Sequence, residues 1–168
     1  MRDTIRDPAR SGVEARGAGA RLAQRATIHF FMETAALLSR MVDSDTVRGL
    51  IFLGILAANT RHLRPGSPEA QAYASTDDVV PDSLRRGVSV HALSSQVNLP
   101  YETTRRHVQK LIEAGLCERR GDGIIVPAAA LASPRLLRAV ERNLENVHRF
   151  VDELERGGVL AERPAPED

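Results

Sequence analysis

Apolar side chains first recur at helical intervals over residues 22–43. Ile28, Phe31, Ala35, Leu38 and Val42 are spaced by 3, 4, 3 and 4, which places them on one helix face. The stretch "DSDT" (43–46) then offers N-cap residues for a second helix, about 46–62. Val47, Leu50, Ile51, Phe52, Leu53, Ile55 and Leu56 make that helix apolar nearly all round, the pattern of an element in the middle of a core. Residues 64–87 hold three prolines and many small polar residues and read as a long loop, which either moves or covers something. The periodicity returns at Ser89, a cap for a short helix to about Val97. "NLP" (98–100) makes a turn, since Asn tolerates positive φ and Pro suits the start of a helix. The helix 100–114 turns Thr104, Val108, Leu111 and Ile112 inward and stops at Gly115. Residues 116–127 read as two short strands around Gly121-Asp122-Gly123. Ser133-Pro134 opens a last long helix to about Arg156, along which Leu137, Val140, Leu144, Val147, Val151 and Leu154 form a packing seam.

Composition sharpens this picture. With aromatics at 4% and no Trp, the core must be built mainly from Leu, Val, Ile and Ala, which suits helices. The net charge of +1 neither demands nor excludes nucleic acid, but its distribution is uneven. Residues 1–25 carry six Arg against three acids, net +3, and residues 152–168 carry two Arg against six acids, net −4. The first 21 residues are expected to be a disordered basic tail, and 158–168 a disordered acidic one. The single cysteine, Cys117, rules out an intrachain disulfide and fits a reducing compartment. The N-terminus lacks the apolar run of a secretory signal, and "GLIFLGILAA" (49–58) is too short to span a bilayer. A cytoplasmic protein without membrane partners is the expectation.

The candidate chemistry is concentrated on one helix. With 104, 108, 111 and 112 inward, Tyr101, Glu102, Thr103, Arg105, Arg106, Gln109 and Lys110 are left outward or at the flank. Such a set is either the solvated face of an ordinary helix or a surface for reading DNA. Arg can pair bidentately with guanine, and Tyr, Thr, Gln and Lys can serve bases or phosphates. Glu102 can accept from a cytosine amino group or orient Arg105 or Arg106. Histidines 29, 62, 91, 107 and 148 are scattered without ligand spacing, so no metal is expected. His107 either packs or reaches DNA. There is no Gly-rich phosphate loop and no nucleophile elbow, so neither an enzyme nor a cofactor is expected. Cys117 reads as a buried structural thiol; Arg119 and Arg120 beside it leave a redox sensor as the alternative.

The segment "SVHALSSQVNLPYETTRRHVQKLIEAGLCERRGDGIIV" (89–126) resembles the winged helix-turn-helix family of bacterial transcriptional regulators. "LPYETTRRHVQKLIEAGL" looks much like a GntR-type recognition helix, with its T-x-R-R signature and terminal E-A-G-L. The turn has Asn98 where Gly is usual, and Ser94 stands where the helices approach and Ala is usual. The resemblance implies a mainly α fold with a small β-hairpin wing, a winged helix-turn-helix domain over 44–127 including the long loop 64–87. An N-terminal flanking helix (22–43) and a C-terminal dimerisation helix (134–157) would bracket it. It implies double-stranded DNA binding, with 100–114 in the major groove and Arg119 and Arg120 on the backbone or minor groove.

The two seams either pack within their own domain or pair with a second subunit, as the flanking helices of similar regulators often do. The expected function is that of a homodimeric, sequence-specific transcriptional regulator, with Leu137, Val140, Leu144, Val147, Val151, Leu154, Ile28, Phe31 and Leu38 at the dimer interface. Two alternatives stay open. One is a winged-helix module that binds an acidic protein. The other is a regulator gated by a small-molecule effector, in a pocket lined by Phe30, Phe31, Met32 and Phe52.

Overall fold

The computed structural model describes residues 8–75 and 78–160. In chain order its elements are α1 (Pro8–Met41), α2 (Thr46–Thr60), α3 (Pro68–Gln71), α4 (Val90–Val97), α5 (Tyr101–Glu113), β1 (Glu118–Arg120), β2 (Gly123–Ile125), α6 (Ala128–Leu131) and α7 (Pro134–Arg156), with a 3-10 turn at Asp82–Leu84. The protein is mainly helical, with one two-stranded antiparallel sheet. The chain divides into two compact units. One joins the segment up to Thr34 to that from Asn143 onward, and the other is Ala35–Arg142.

The larger unit is built around α2. Asp43 and Ser44 both adopt positive φ after α1, and Asp45 then caps α2 by accepting the Arg48 N–H at 2.9 Å. Ile51, Phe52 and Ile55 are buried at the centre of a core completed by Leu93, Val108, Leu111, Ile124 and Leu136. The helix is not enclosed all round, as its composition suggested. Val47 and Leu50 are exposed, because neighbours cover only the face that carries 51, 52 and 55. Gly54 sets how closely α2 and α4 cross, since a Cβ there would meet Leu93 at 2.9 Å and Val97 at 3.1 Å.

The α4–turn–α5 segment follows the local signals closely. Ser89 caps α4, Asn98 takes the left-handed conformation (φ 53°, ψ 47°), and Pro100 is the cap residue of α5 rather than its first helical residue. Thr104 is buried and donates its hydroxyl to the Pro100 carbonyl at 3.2 Å, which is how a polar side chain is accommodated on the inward face. Gly115 ends α5 at φ 69°. β1 and β2 pair with Arg120 opposite Gly123, so Gly121 and Asp122 form a two-residue hairpin turn. Val88 adds a bridge to Ile124 on the outer edge of β2.

Asn59 ties the hairpin to α2. Fully buried, it donates to the Arg86 and Ile124 carbonyls at 2.8 and 3.1 Å and accepts the Val126 N–H at 2.9 Å. The loop 64–87 is more structured than its composition implied. It holds α3 and the 3-10 turn, and Asp82 accepts the Ala128 N–H at 2.7 Å. Arg85 is buried and donates to the Val80 carbonyl at 2.8 Å; burial lowers its pKa, against the opposing pull of Asp82.

In the smaller unit α1 and α7 lie against each other. Phe30 stacks on Phe150 with ring centroids 5.0 Å apart, and Ala26 and Asn146 are buried. Two expectations need correction here. Residues 8–21 are helical rather than tail, as their frequent Ala and Arg favour. Residues 158–160 form part of a helix end, in which Gly158 (φ 65°) lets the Val159 N–H reach the Leu154 carbonyl at 2.9 Å. The remainder of the two expected tails, 1–7 and 161–168, lies outside the described residues.

Candidate nucleic-acid interface

Helix α5 separates its residues cleanly by face. Thr104, Val108 and Leu111 are buried and Ile112 is half-buried, while Tyr101, Glu102, Arg105, Arg106, Gln109 and Lys110 are exposed. Thr103 is half-buried at the flank. Arg105 donates from Nε and Nη2 to the two carboxylate oxygens of Glu102, at 2.9 and 2.7 Å. This two-pronged bond lowers the Glu102 pKa and raises that of Arg105. The pair lies one turn from the helix start, with both side chains exposed. Gln109 donates to Glu113 at 3.1 Å. Arg106 and Lys110 make no ion pair among the described residues, so their charges face solvent.

His107 packs rather than points outward. Half-buried, its Nδ1 lies 3.4 Å from Asp45, the α2 cap. Burial lowers its pKa; Asp45 opposes this, and Arg48, Lys110 and Arg106 add to the lowering. Burial pushes the Asp45 carboxyl up, but the Arg48 N–H and the charges of His107, Arg48 and Lys110 outweigh it, leaving the pKa below its ordinary value.

The two hairpin arginines differ. Arg119 is exposed and makes no ion pair among the described residues. Arg120 donates to the Asp82 carbonyl and to Glu118, both at 2.9 Å, and lies 3.5 Å from the Asp82 carboxylate. Its charge is therefore largely engaged within the chain, which the sequence expectation of equivalent wing arginines did not anticipate. Cys117 is buried and burial pushes its thiol to about 12, so it is no thiolate at neutral pH, and its arginine neighbours do not activate it.

The seam residues of α7 face outward. Leu137, Val140, Leu144 and Val151 are exposed, and Val147 and Leu154 are half-buried. The helix packs through the adjacent stripe instead, where Leu136, Ala139 and Asn146 are buried. Ile28 and Phe31 are exposed as well, Phe31 at 67%. Leu38 is the exception among the expected interface residues: it is buried in the larger unit against Gly49, and so is a core residue. The four residues suggested for an effector pocket fall in different surroundings. Phe52 is in the larger core, Phe30 stacks on Phe150, and Phe31 and Met32 are exposed.

An open groove that the sequence did not reveal runs between the C-terminal end of α2, the outer side of α4 and the hairpin. It has a volume of about 1220 Å³, and its lining includes Arg61, Arg64 and Arg86. These arginines are scattered in sequence, and only the path of the 64–87 loop brings them together. Asn59 was equally unflagged, though an amide one turn beyond Ile55 on the buried stripe of α2 is a readable signal.

Among the described residues no group of three or more His, Cys, Asp or Glu could hold a metal ion, and no helix is long and apolar enough to cross a membrane. Searched against protein-family models, curated proteins and solved structures, the chain matches none of them.

Proposed function

We propose that residues 46–126 act as a winged helix-turn-helix that binds double-stranded DNA, with α5 in the major groove and the hairpin as its wing. The observation that carries this reading is the outer face of α5. It presents Arg105, paired with Glu102, beside Arg106, which makes no ion pair among the described residues, with Tyr101 and Lys110 near by, on a helix whose opposite face is fixed in a core. A planar guanidinium fork is suited to a guanine edge, and an exposed cation to a phosphate. The tight left-handed turn at Asn98, which joins α4 directly to α5, supports the reading too.

The protein acts in this reading as a homodimer through the exposed stripe of α7. The N-terminal half of that helix (134–145) carries three arginines and two glutamates, and the rest (146–156) two arginines and three acids. Two copies laid antiparallel bury Leu137, Val140, Leu144, Val147, Val151 and Leu154 against each other and set opposite charges side by side. A two-fold protein implies a two-fold operator. Selection of bound duplexes from a random pool tests both points. Enrichment of an inverted repeat is the expected outcome; failure to enrich any sequence leaves the acidic-protein module as the better reading.

A further inference from the structure

The basic groove beside α4 plays no part in the reading above, and its construction is specific. The backbone of Arg86 is held from both sides by Asn59, which accepts its N–H at 3.1 Å and donates to its carbonyl at 2.8 Å. Its exposed side chain therefore departs from a fixed point. Arg61 and Arg64 follow the end of α2, and both are exposed. None of the three makes an ion pair among the described residues, although Arg48, Arg85, Arg105, Arg120 and Arg135 all do. Among the described residues, Asp122, on the hairpin turn, is the one carboxylate in the lining. Where the hairpin borders the groove, Gly87 and Gly123 lie so close that a Cβ on either would fall within 3 Å of the other's backbone. The two glycines let the 87–88 segment pack directly against the hairpin, which fixes that border of the groove. Ser89 also lines the groove, at the start of α4, where the partial positive charge of the helix end adds to that of the arginines.

We infer that this groove is a second phosphate track, which holds the backbone of the same duplex alongside the hairpin and the outer side of α4. The inference rests on the duplex-binding reading and extends it. Three guanidiniums without an ion pair among the described residues, along an open channel, suit a row of phosphates better than a single small anion, which an open groove would leave solvated. The low information content of phosphate contacts assigns the groove to affinity, while α5 supplies discrimination.

The test uses the full chain and a mixed-sequence duplex of about thirty base pairs, titrated by fluorescence anisotropy across a salt series. Removing one arginine from a phosphate lowers the slope of log affinity against log salt by about 0.9, so R61A/R64A/R86A should lower it by between about 2 and about 3. Affinity at about 0.15 M salt should fall roughly ten- to a hundredfold for every duplex sequence alike. R61K/R64K/R86K keeps the charges and should retain most of the slope, which separates charge removal from misfolding. Asp122→Asn should tighten binding roughly twofold. If the wild-type chain binds duplex and the alanine triple variant keeps its slope and affinity, the groove is idle and the inference is overturned, with the α5 reading intact. A lysine variant as weak as the alanine one also overturns it. A weakening seen only with a thirty-nucleotide single strand assigns the groove to unpaired nucleic acid and overturns it as well. If the wild-type chain binds no duplex at all, the proposed function itself fails.

Discussion

Helices α5 and α7 are both amphipathic and both rich in arginine, yet they leave opposite faces bare. α5 buries Thr104, Val108 and Leu111, half-buries Ile112 and presents charge, whereas α7 buries a partly polar stripe and presents Leu137, Val140, Leu144 and Val151. The packing of α5 is complete within one chain, so what remains outside is available to a ligand. That of α7 is incomplete, and its bare stripe has the 3–4 spacing that another helix satisfies. The difference separates two kinds of surface residue: polar ones that solvent satisfies, and apolar ones that the single chain leaves uncovered.

The largest effect expected lies on the completed side. Asn59→Ala removes the partner of one buried and one part-buried carbonyl and of one buried N–H, and should lower the unfolding free energy by roughly 3–5 kcal/mol. Urea unfolding measures it; a loss below about 1 kcal/mol would mean the hairpin and α2 do not depend on this amide. On the incomplete side, L144E/V151E should convert a dimer to a monomer, weakening association by about 3 kcal/mol or more. Both positions are exposed in the single chain, so the dissociated variant should keep its secondary structure. Light scattering with circular dichroism checks this, and a wild-type chain that is monomeric at micromolar concentration would break the comparison outright.

The smallest effect concerns the hidden side of α5. His107 titrates below its ordinary value of 6.5 in the folded chain. The unfolded chain then takes up the proton first, so the stability this group contributes is present above the ordinary value and lost as pH falls through the folded pKa. Urea midpoints measured from about pH 7.5 down to about pH 5 should decline, and His107→Gln should flatten the decline. A midpoint that rises on acidification would show that attraction to Asp45 outweighs burial.

How much of this was legible depended on whether a feature was local. The α4 cap at Ser89, the turn at Asn98, the inward set of α5 and the Gly121-Asp122 hairpin turn each follow from a few adjacent residues, and each is where the sequence puts it. The periodicity of α7 was legible too, although its spacing could not say whether the stripe faced inward or outward, because Leu136 and Ala139 start an adjacent stripe of equal period. The long-range features were not legible. Arg120 turns to Asp82, Arg86 is pinned by Asn59, and Phe30 stacks on Phe150, all through interactions between residues far apart in the chain. The helical start of α1 was missed because the glycines among residues 8–21 masked the helix-forming alanines and arginines.

The central claim is that the outer face of α5 reads DNA. The most direct measurement is an anisotropy titration of wild type, Arg105→Ala, Arg106→Ala and Arg119→Ala against a selected duplex and a scrambled one. Either α5 substitution should reduce discrimination between the two by about 1–3 kcal/mol. Arg119→Ala should weaken both duplexes equally and lower the salt slope by about one. If neither α5 substitution changes the discrimination, the arginines of this helix are a solvated face and the account is wrong at its centre.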